Sequence, residues 1–184
     1  MSAGDDILIL LAAGSARRMQ AVVDDKITAL LAGKPVFVHS LQSFLGTGLI
    51  GRVIVTYRDE AQLAKLKAQL AGHIAGSPCV DFVPGGETRQ DSVLAALEAC
   101  AGHPGLVHIH DGARPLVSPE AIRKVRDKAR ETGAAILAGR AADTVKIAKP
   151  DSPSVETSPD RGLVWTAETP QVFRTAVILK AYRK

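Results

Sequence analysis

Three loops in this chain carry residue types suited to holding and rearranging phosphates. The first follows the apolar run Ile7-Leu8-Ile9-Leu10-Leu11 and reads Ala12-Ala13-Gly14-Ser15-Ala16-Arg17-Arg18-Met19. Small side chains let backbone N–H groups approach an anion, and the arginines add fixed charge and forked donors that match phosphate oxygens. An ordinary strand-to-helix turn with solvated arginines would read the same on this loop alone. The second loop, Pro84-Gly85-Gly86-Glu87-Thr88-Arg89-Gln90-Asp91-Ser92-Val93, sets two glycines before a helix N-terminus, whose positive end points outward. Its backbone suits a base edge, and Ser92 could donate to a ribose or phosphate; a plain capped turn would need fewer special residues. The third, His110-Asp111-Gly112-Ala113-Arg114-Pro115, puts an acid beside a glycine at a strand end, which suits a divalent cation or a sugar hydroxyl. Arg114 could instead simply pair with Asp111.

Other candidates are thinner. Lys26 follows Asp24-Asp25 as in a solvated charge run, yet it stands close enough after the arginines to reach a phosphate. Thr169, in Thr169-Pro170-Gln171, offers a hydroxyl near another strand end. His108 and His110 share one strand face next to Asp111, but no zinc-type ligand cluster accompanies them. There is no Gly-x-Ser-x-Gly elbow and no nucleophile–base pair. The first loop also lacks the G-x-G-x-x-G of a dehydrogenase. What remains is a site for binding and positioning anions.

Such loops need a sheet to hold them. Strand-like runs at Ile7–Leu11, Arg52–Tyr57, Cys79–Val83, Leu106–Ile109 and Ala134–Leu137 alternate with helical segments. Helices are expected from Pro35 to Leu45, through Leu63, Leu66 and Leu70 at three- and four-residue spacing, over Thr88–Ala101, and from Ser118-Pro119-Glu120 onward. Thr88 and Asp91 make a capping-box pattern, while Ser118 caps a helix with proline at its first position. This alternation predicts an α/β fold: a Rossmann-like, mostly parallel sheet with helices on both faces and ligands at the carboxyl ends of the strands. Ala134–Leu137 is expected to be the last strand of the series. Residues 141 to 164, with Pro150-Asp151-Ser152-Pro153, lack helical period and read as an extended β-arm rather than core.

Composition narrows the class. The 184 residues fit a single domain, 46% hydrophobic, without an apolar run near the length of about 20 residues that spans a bilayer. No signal peptide is visible. Cys79 and Cys100 lack C-x-x-C spacing and read as reduced thiols of a cytoplasmic protein. A net charge of +4 with only 4% aromatics provides no stacking platform for nucleic acid and fits a small anionic substrate.

The motifs taken in order resemble one family. Ala12-Ala13-Gly14…Arg17-Arg18-Met19, Gly33-Lys34-Pro35-Val36, His39-Ser40, Gly85-Gly86-Glu87…Arg89…Asp91-Ser92-Val93, His110-Asp111-Gly112-Ala113-Arg114-Pro115, Asp143-Thr144-Val145-Lys146 and Trp165-Thr166-Ala167-Glu168-Thr169-Pro170-Gln171 are similar to 2-C-methyl-D-erythritol 4-phosphate cytidylyltransferase. Each is weak alone; the ordered set covers nearly the whole chain and is highly specific. The resemblance implies transfer of a cytidylyl group from CTP to methylerythritol phosphate with release of pyrophosphate, dependent on Mg²⁺, in non-mevalonate isoprenoid synthesis. It implies a homodimer in which the 141–164 arm embraces the other subunit. By motif position, Ala12, Ala13, Gly14 and Arg18 would line the triphosphate beside Lys26, with Arg18 and Lys26 as the catalytic cations. Gly86, Glu87 and Ser92 would hold the cytidine. Asp111 and Gly112 would face ribose, metal-bound phosphates and acceptor. Thr144, Arg161 and Thr169 would grip the acceptor, Arg161 coming from the partner chain.

Three departures stand out. Ala16 replaces the family's usual glycine, and Asp25-Lys26-Ile27-Thr28 replaces its Pro-Lys-Gln-(aromatic), so an anion is expected to weaken the field of Lys26. The 184 residues also end before the family's Thr-Asp-(Asp/Glu)-Ala and Ile-Lys-(Val/Ile)-Thr segments. A chain without them is expected to lack a phosphate-binding lysine and a core strand. Two rival readings are a ribitol 5-phosphate cytidylyltransferase, which shares these loops, and a non-catalytic nucleotide-binding relative.

Overall fold

The computed structural model describes residues 4–14, 25–74 and 79–184. Strand β1 (Asp6–Leu11) is followed by a small ladder of β2 (Leu30–Leu31) and β3 (Lys34–Pro35), then by α1 (Val36–Leu45), β4 (Ile50–Tyr57), α2 (Glu60–Ala71) and β5 (Cys79–Pro84). Helix α3 (Arg89–Glu98), β6 (Leu106–Asp111), α4 (Pro119–Thr132) and β7 (Ala134–Arg140) come next. A second small ladder, β8 (Ile147–Ala148) with β9 (Val155–Thr157), and a 3-10 turn at Arg161–Leu163 lead to β10 (Trp165–Arg174) and α5 (Thr175–Tyr182).

The main sheet runs in the order β5-β4-β1-β6-β10-β7, and all strands but β10 point the same way. From β1 the chain moves outward to β4 and β5 and then returns to the other side of β1 as β6. The strand order therefore reverses between β1 and β6, and a crevice opens at their carboxyl ends. Register aligns those ends, since Leu11 lies opposite Thr56 on one side and Asp111 on the other.

Strand β1 is apolar along its length because both faces are covered. Leu8 and Leu10 pack with Val53 and Val55 under α1 and α2, against Phe37, Leu41, Phe44, Leu66 and Leu70. Ile7 and Ile9 face the other way with Ile54, Val107 and Ile109, meeting Val93, Ala96 and Leu97 of α3 and Ile178 and Leu179 of α5. Each of the larger side chains contributes roughly 1.5–3 kcal/mol when fully buried.

Local signals set the helix ends. Thr88 and Asp91 form the expected capping box, and Ser118 Oγ accepts from Ala121 N at 3.1 Å ahead of Pro119. At the base of the sheet, the buried Asp6 carboxylate accepts from His108 Nε2 at 3.0 Å and from Arg126 Nε at 2.9 Å. Burial opposes its ionisation, but these two donors win and hold its pKa below the ordinary value. The triad ties β1, β6 and α4 together.

One expectation fails. Ala134–Leu137 is not the last strand, because β10 inserts antiparallel between β6 and β7. Its sequence hides it: Trp165 to Glu168 are exposed, Pro170 interrupts it, and Thr169, Pro170 and Val172 are its buried residues. The Thr169–Pro170 bond is cis, and pairing with β7 shifts register between Ala167 and Gln171.

Candidate functional site

A cleft of about 880 Å³ lies at the carboxyl ends of the strands, lined on one side by Ala13, Gly14 and Lys26 and on the other by Gly86, Glu87, Ser92 and Asp111. Seven residues expected at the site from sequence are thus brought to one place. Arg18 is not among them: with the rest of 15–24 it lies outside the described residues.

Backbone and side chains share the work of shaping the walls. Ala12 is buried, and its N–H donates to Thr56 Oγ1 at 3.1 Å, so its backbone donor faces the protein rather than the cleft. Gly86 needs to be glycine, because a Cβ there would stand 2.2 Å from Asp91 Cβ. Ser92 Oγ accepts from Gly86 N at 3.1 Å and donates to Thr88 O at 3.0 Å. Its single proton is committed to the loop, and what it offers a ligand is a lone pair. Gly112 is likewise structural: its N–H donates to Leu11 O at 2.9 Å, its carbonyl accepts from Ser40 Oγ at 2.9 Å, and a Cβ would meet Leu11 O at 3.0 Å.

Asp111 is gripped from both sides. Arg89 Nη2 donates to Oδ1 at 3.1 Å, and Arg114 Nε to Oδ2 at 3.1 Å. The pairing of Arg114 with Asp111 is the alternative raised from the sequence; the second arginine, reaching across from the start of α3, is not. With Lys26 and Arg58, the described residues of the cleft present four cations against the carboxylates of Glu87 and Asp111, which favours a polyanion.

Behind Asp111 runs a buried relay. His110 Nε2 lies 3.1 Å from Arg114 O, and a carbonyl only accepts, so Nε2 carries the proton. Nδ1 is then an acceptor, and Thr169 Oγ1 donates to it at 2.9 Å while accepting from Asp111 N at 3.3 Å. Desolvation pushes the His110 pKa down to about 4, which keeps the ring neutral. Thr169, expected from sequence to grip an acceptor, thus has its hydroxyl proton committed to His110. His108 and His110 do share a face, both against Phe44, but each is bonded within the core. Among the described residues no cluster of three or more His, Cys, Asp or Glu could hold a metal.

The anion expected to oppose Lys26 is turned away from it. Asp25 is buried, its Oδ1 accepting from Ile27 N at 2.9 Å and its Oδ2 from Gln62 Nε2 at 2.6 Å. Thr144 and Arg161 stand exposed on the 141–164 segment, Arg161 Nη1 donating to Ala142 O at 3.1 Å, and neither lines the cleft of its own chain.

Arg58, Thr56 and Gln62 have no part in the reading from sequence. Gln62 leaves a signal there, since it falls on the same helical stripe as Leu66 and Leu70, where a polar residue is out of place. Arg58 leaves none: it is one more charge after a strand.

Residues 7–184 match the family model of 2-C-methyl-D-erythritol 4-phosphate cytidylyltransferase (IspD). A relative of that name from Symbiobacterium thermophilum is 36% identical over 178 residues, covering 96% of this chain and 72% of the relative. Another, from Dehalococcoides mccartyi, is 40% identical over 176 residues, covering 96% of this chain and 75% of its own length. Among solved structures, the 4-diphosphocytidyl-2C-methyl-D-erythritol synthase of Anaerococcus prevotii superimposes with a TM-score of 0.82 at 27% identity, over 99% of this chain and 76% of that one. No helix among the described residues is long and apolar enough to cross a membrane.

Proposed function

We infer the chemistry of the cleft from one premise: the chain belongs to the 2-C-methyl-D-erythritol 4-phosphate cytidylyltransferase family, and it transfers the cytidylyl group of CTP to 2-C-methyl-D-erythritol 4-phosphate in isoprenoid biosynthesis. The observation that carries this reading onto the structure is the meeting of the Gly14, Gly86 and Asp111 loops at one cation-rich cleft. The ribitol reading is not favoured, since the matched relatives bear the methylerythritol name.

A phosphate oxygen of the acceptor attacks the α-phosphorus of CTP, the new P–O bond forms as the bond to pyrophosphate breaks, and pyrophosphate leaves. No general base is needed, because the attacking oxygen is already ionised. Two anions must meet, so the task is positioning and charge stabilisation. Ala13 and Gly14 supply a small-residue wall for the triphosphate, and Lys26 is the cation beside it; Arg18 joins it on motif position. Gly86, Glu87 and Ser92 form the pocket for cytidine, where the Ser92 lone pair accepts rather than donates. Asp111, held by Arg89 and Arg114, presents its carboxylate toward ribose and acceptor. Thr169 acts through the His110 relay on the Asp111 loop. Mg²⁺ fits this donor set as an ion held mainly by the nucleotide phosphates with Asp111 nearby, and it would neutralise charge on the triphosphate.

A homodimer accounts for the rest of the acceptor site. Ile147, Val155, Leu163 and Trp165 are exposed on and beside the 141–164 segment, an apolar surface that suits cover by a second copy. That arrangement brings Thr144 and Arg161 of one protomer to its partner's cleft. The free thiols Cys79 and Cys100 support residence in a reducing cytoplasm.

The test is Mg²⁺-dependent pyrophosphate release from CTP, with methylerythritol phosphate and ribitol 5-phosphate as separate acceptors. Release with the first alone is expected. Release only with the second, or with neither from folded protein, would overturn the assignment.

A further inference from the structure

We propose that Gln62 is a positioning residue for the cleft, bonding at once to the loops after β1 and β4 and to the turn that carries Lys26. The proposal rests on the reading of Lys26 as a phosphate-binding cation. Gln62 occupies the first turn of α2 and is 3% exposed. Every hydrogen-bonding group of its amide is engaged. Nε2 donates to Ala12 O at 3.1 Å and to Asp25 Oδ2 at 2.6 Å, while Oε1 accepts from Arg58 N at 2.7 Å. The residue is itself anchored, because its backbone N–H donates to the N-cap carboxylate of Asp59 at 2.8 Å.

Asp25 passes the constraint on. Its Oδ1 accepts from Ile27 N at 2.9 Å, and its carbonyl accepts from Ala29 N at 3.0 Å and Thr28 Oγ1 at 3.4 Å. These bonds close a tight turn with Lys26 facing the cleft. Arg58, whose side chain lines the same cleft, brings Nη2 to 4.0 Å from Asp25 Oδ2. Gln62 therefore touches no ligand, yet three walls of the cleft converge on it. An apolar residue would pack this stripe of α2 beside Leu66 and Leu70 at no desolvation cost. A buried amide is worth keeping here for the connections it makes.

A purely structural role would lower stability and leave turnover per folded molecule alone. Positioning predicts a split. Gln62→Met, which retains the shape, should lower kcat on the order of 10²-fold while KM for CTP moves less than about threefold. Gln62→Glu, which sets one carboxylate against another, should do the same. Without any turnover, amide exchange at Ile27 and Ala29 in Gln62→Met should quicken by about tenfold or more.

Unchanged kcat in folded Gln62→Met, or unchanged exchange at both amides, would each overturn the proposal. A wild-type chain that folds but transfers nothing would instead refute the functional reading, and the exchange rates would then decide the positioning role by themselves.

Discussion

His110 gives the fold a calculable sensitivity to acid. In the native state burial holds its pKa at about 4, against 6.5 for an ordinary imidazole. Between those values the unfolded chain binds a proton that the folded chain refuses, so stability rises with pH across that window. The contribution is complete above about pH 6.5 and is lost as pH falls toward 4. At about 1.4 kcal/mol for each pH unit, the full loss comes to about 3 kcal/mol. His110→Asn removes the titration while its Oδ1 stands in for Nδ1 as acceptor for Thr169, sacrificing the bond to Arg114 O. Near pH 7 the wild type should be the more stable by about 1–3 kcal/mol, the cost of leaving that buried carbonyl unpaired. Urea unfolding of both proteins from about pH 7 down to about pH 4.5 should then show the gap closing by about 2–3 kcal/mol and changing sign if the initial cost is small. Taking the difference between proteins cancels the titration of every other group. A gap that stays constant over this range would refute the reasoning, for it would mean that the folded imidazole takes up its proton as readily as the unfolded one.

Lys26→Ala should lower kcat by about 10²-fold or more while CTP binding by calorimetry falls much less, and the same holds for Arg18→Ala; equal losses in turnover and binding would rule out a transition-state role. Lys26→Ala and Arg161→Ala are each expected to be nearly inactive, yet mixing the two should restore about a quarter of wild-type activity, because half the dimers then contain one intact composite site. A mixture no more active than its components would separate Arg161 from the partner's cleft. Asp6→Ala strands Arg126 and His108 beneath the sheet and should cost about 3–5 kcal/mol in chemical denaturation, with little change in KM. A loss under about 1 kcal/mol would show that the triad is solvated in the native state.

The comparison of sequence with structure divides along a physical line. Near-continuous apolar runs specify β1, β4 and β6, because strands buried on both faces have little freedom of composition. Caps and glycines mark where α3 and α4 begin and why the second and third loops stay open. Those are local effects, and they are legible one residue at a time. β10 is illegible by the same standard. Half of it is solvent-facing, and its place between β6 and β7 is settled by pairing with residues 25 to 68 positions away.

The candidate site residues split in the same way. Asp111, Gly86 and Ser92 stand out by type and neighbourhood, as does the class of ligand they suit, whereas Lys26 is marked only by standing shortly after the arginines. What each atom does there is a different matter. That Arg89 reaches Asp111, that Asp25 turns inward to Gln62, and that Thr169 gives its proton to His110 all depend on side chains meeting across separate strands and helices. The sequence by itself determined the fold class, the strand-end loops and their appetite for phosphate. Only the tertiary structure decided which donors remain for a ligand and which are consumed in holding the walls, because a hydrogen bond is made by proximity in space and each proton can be given only once.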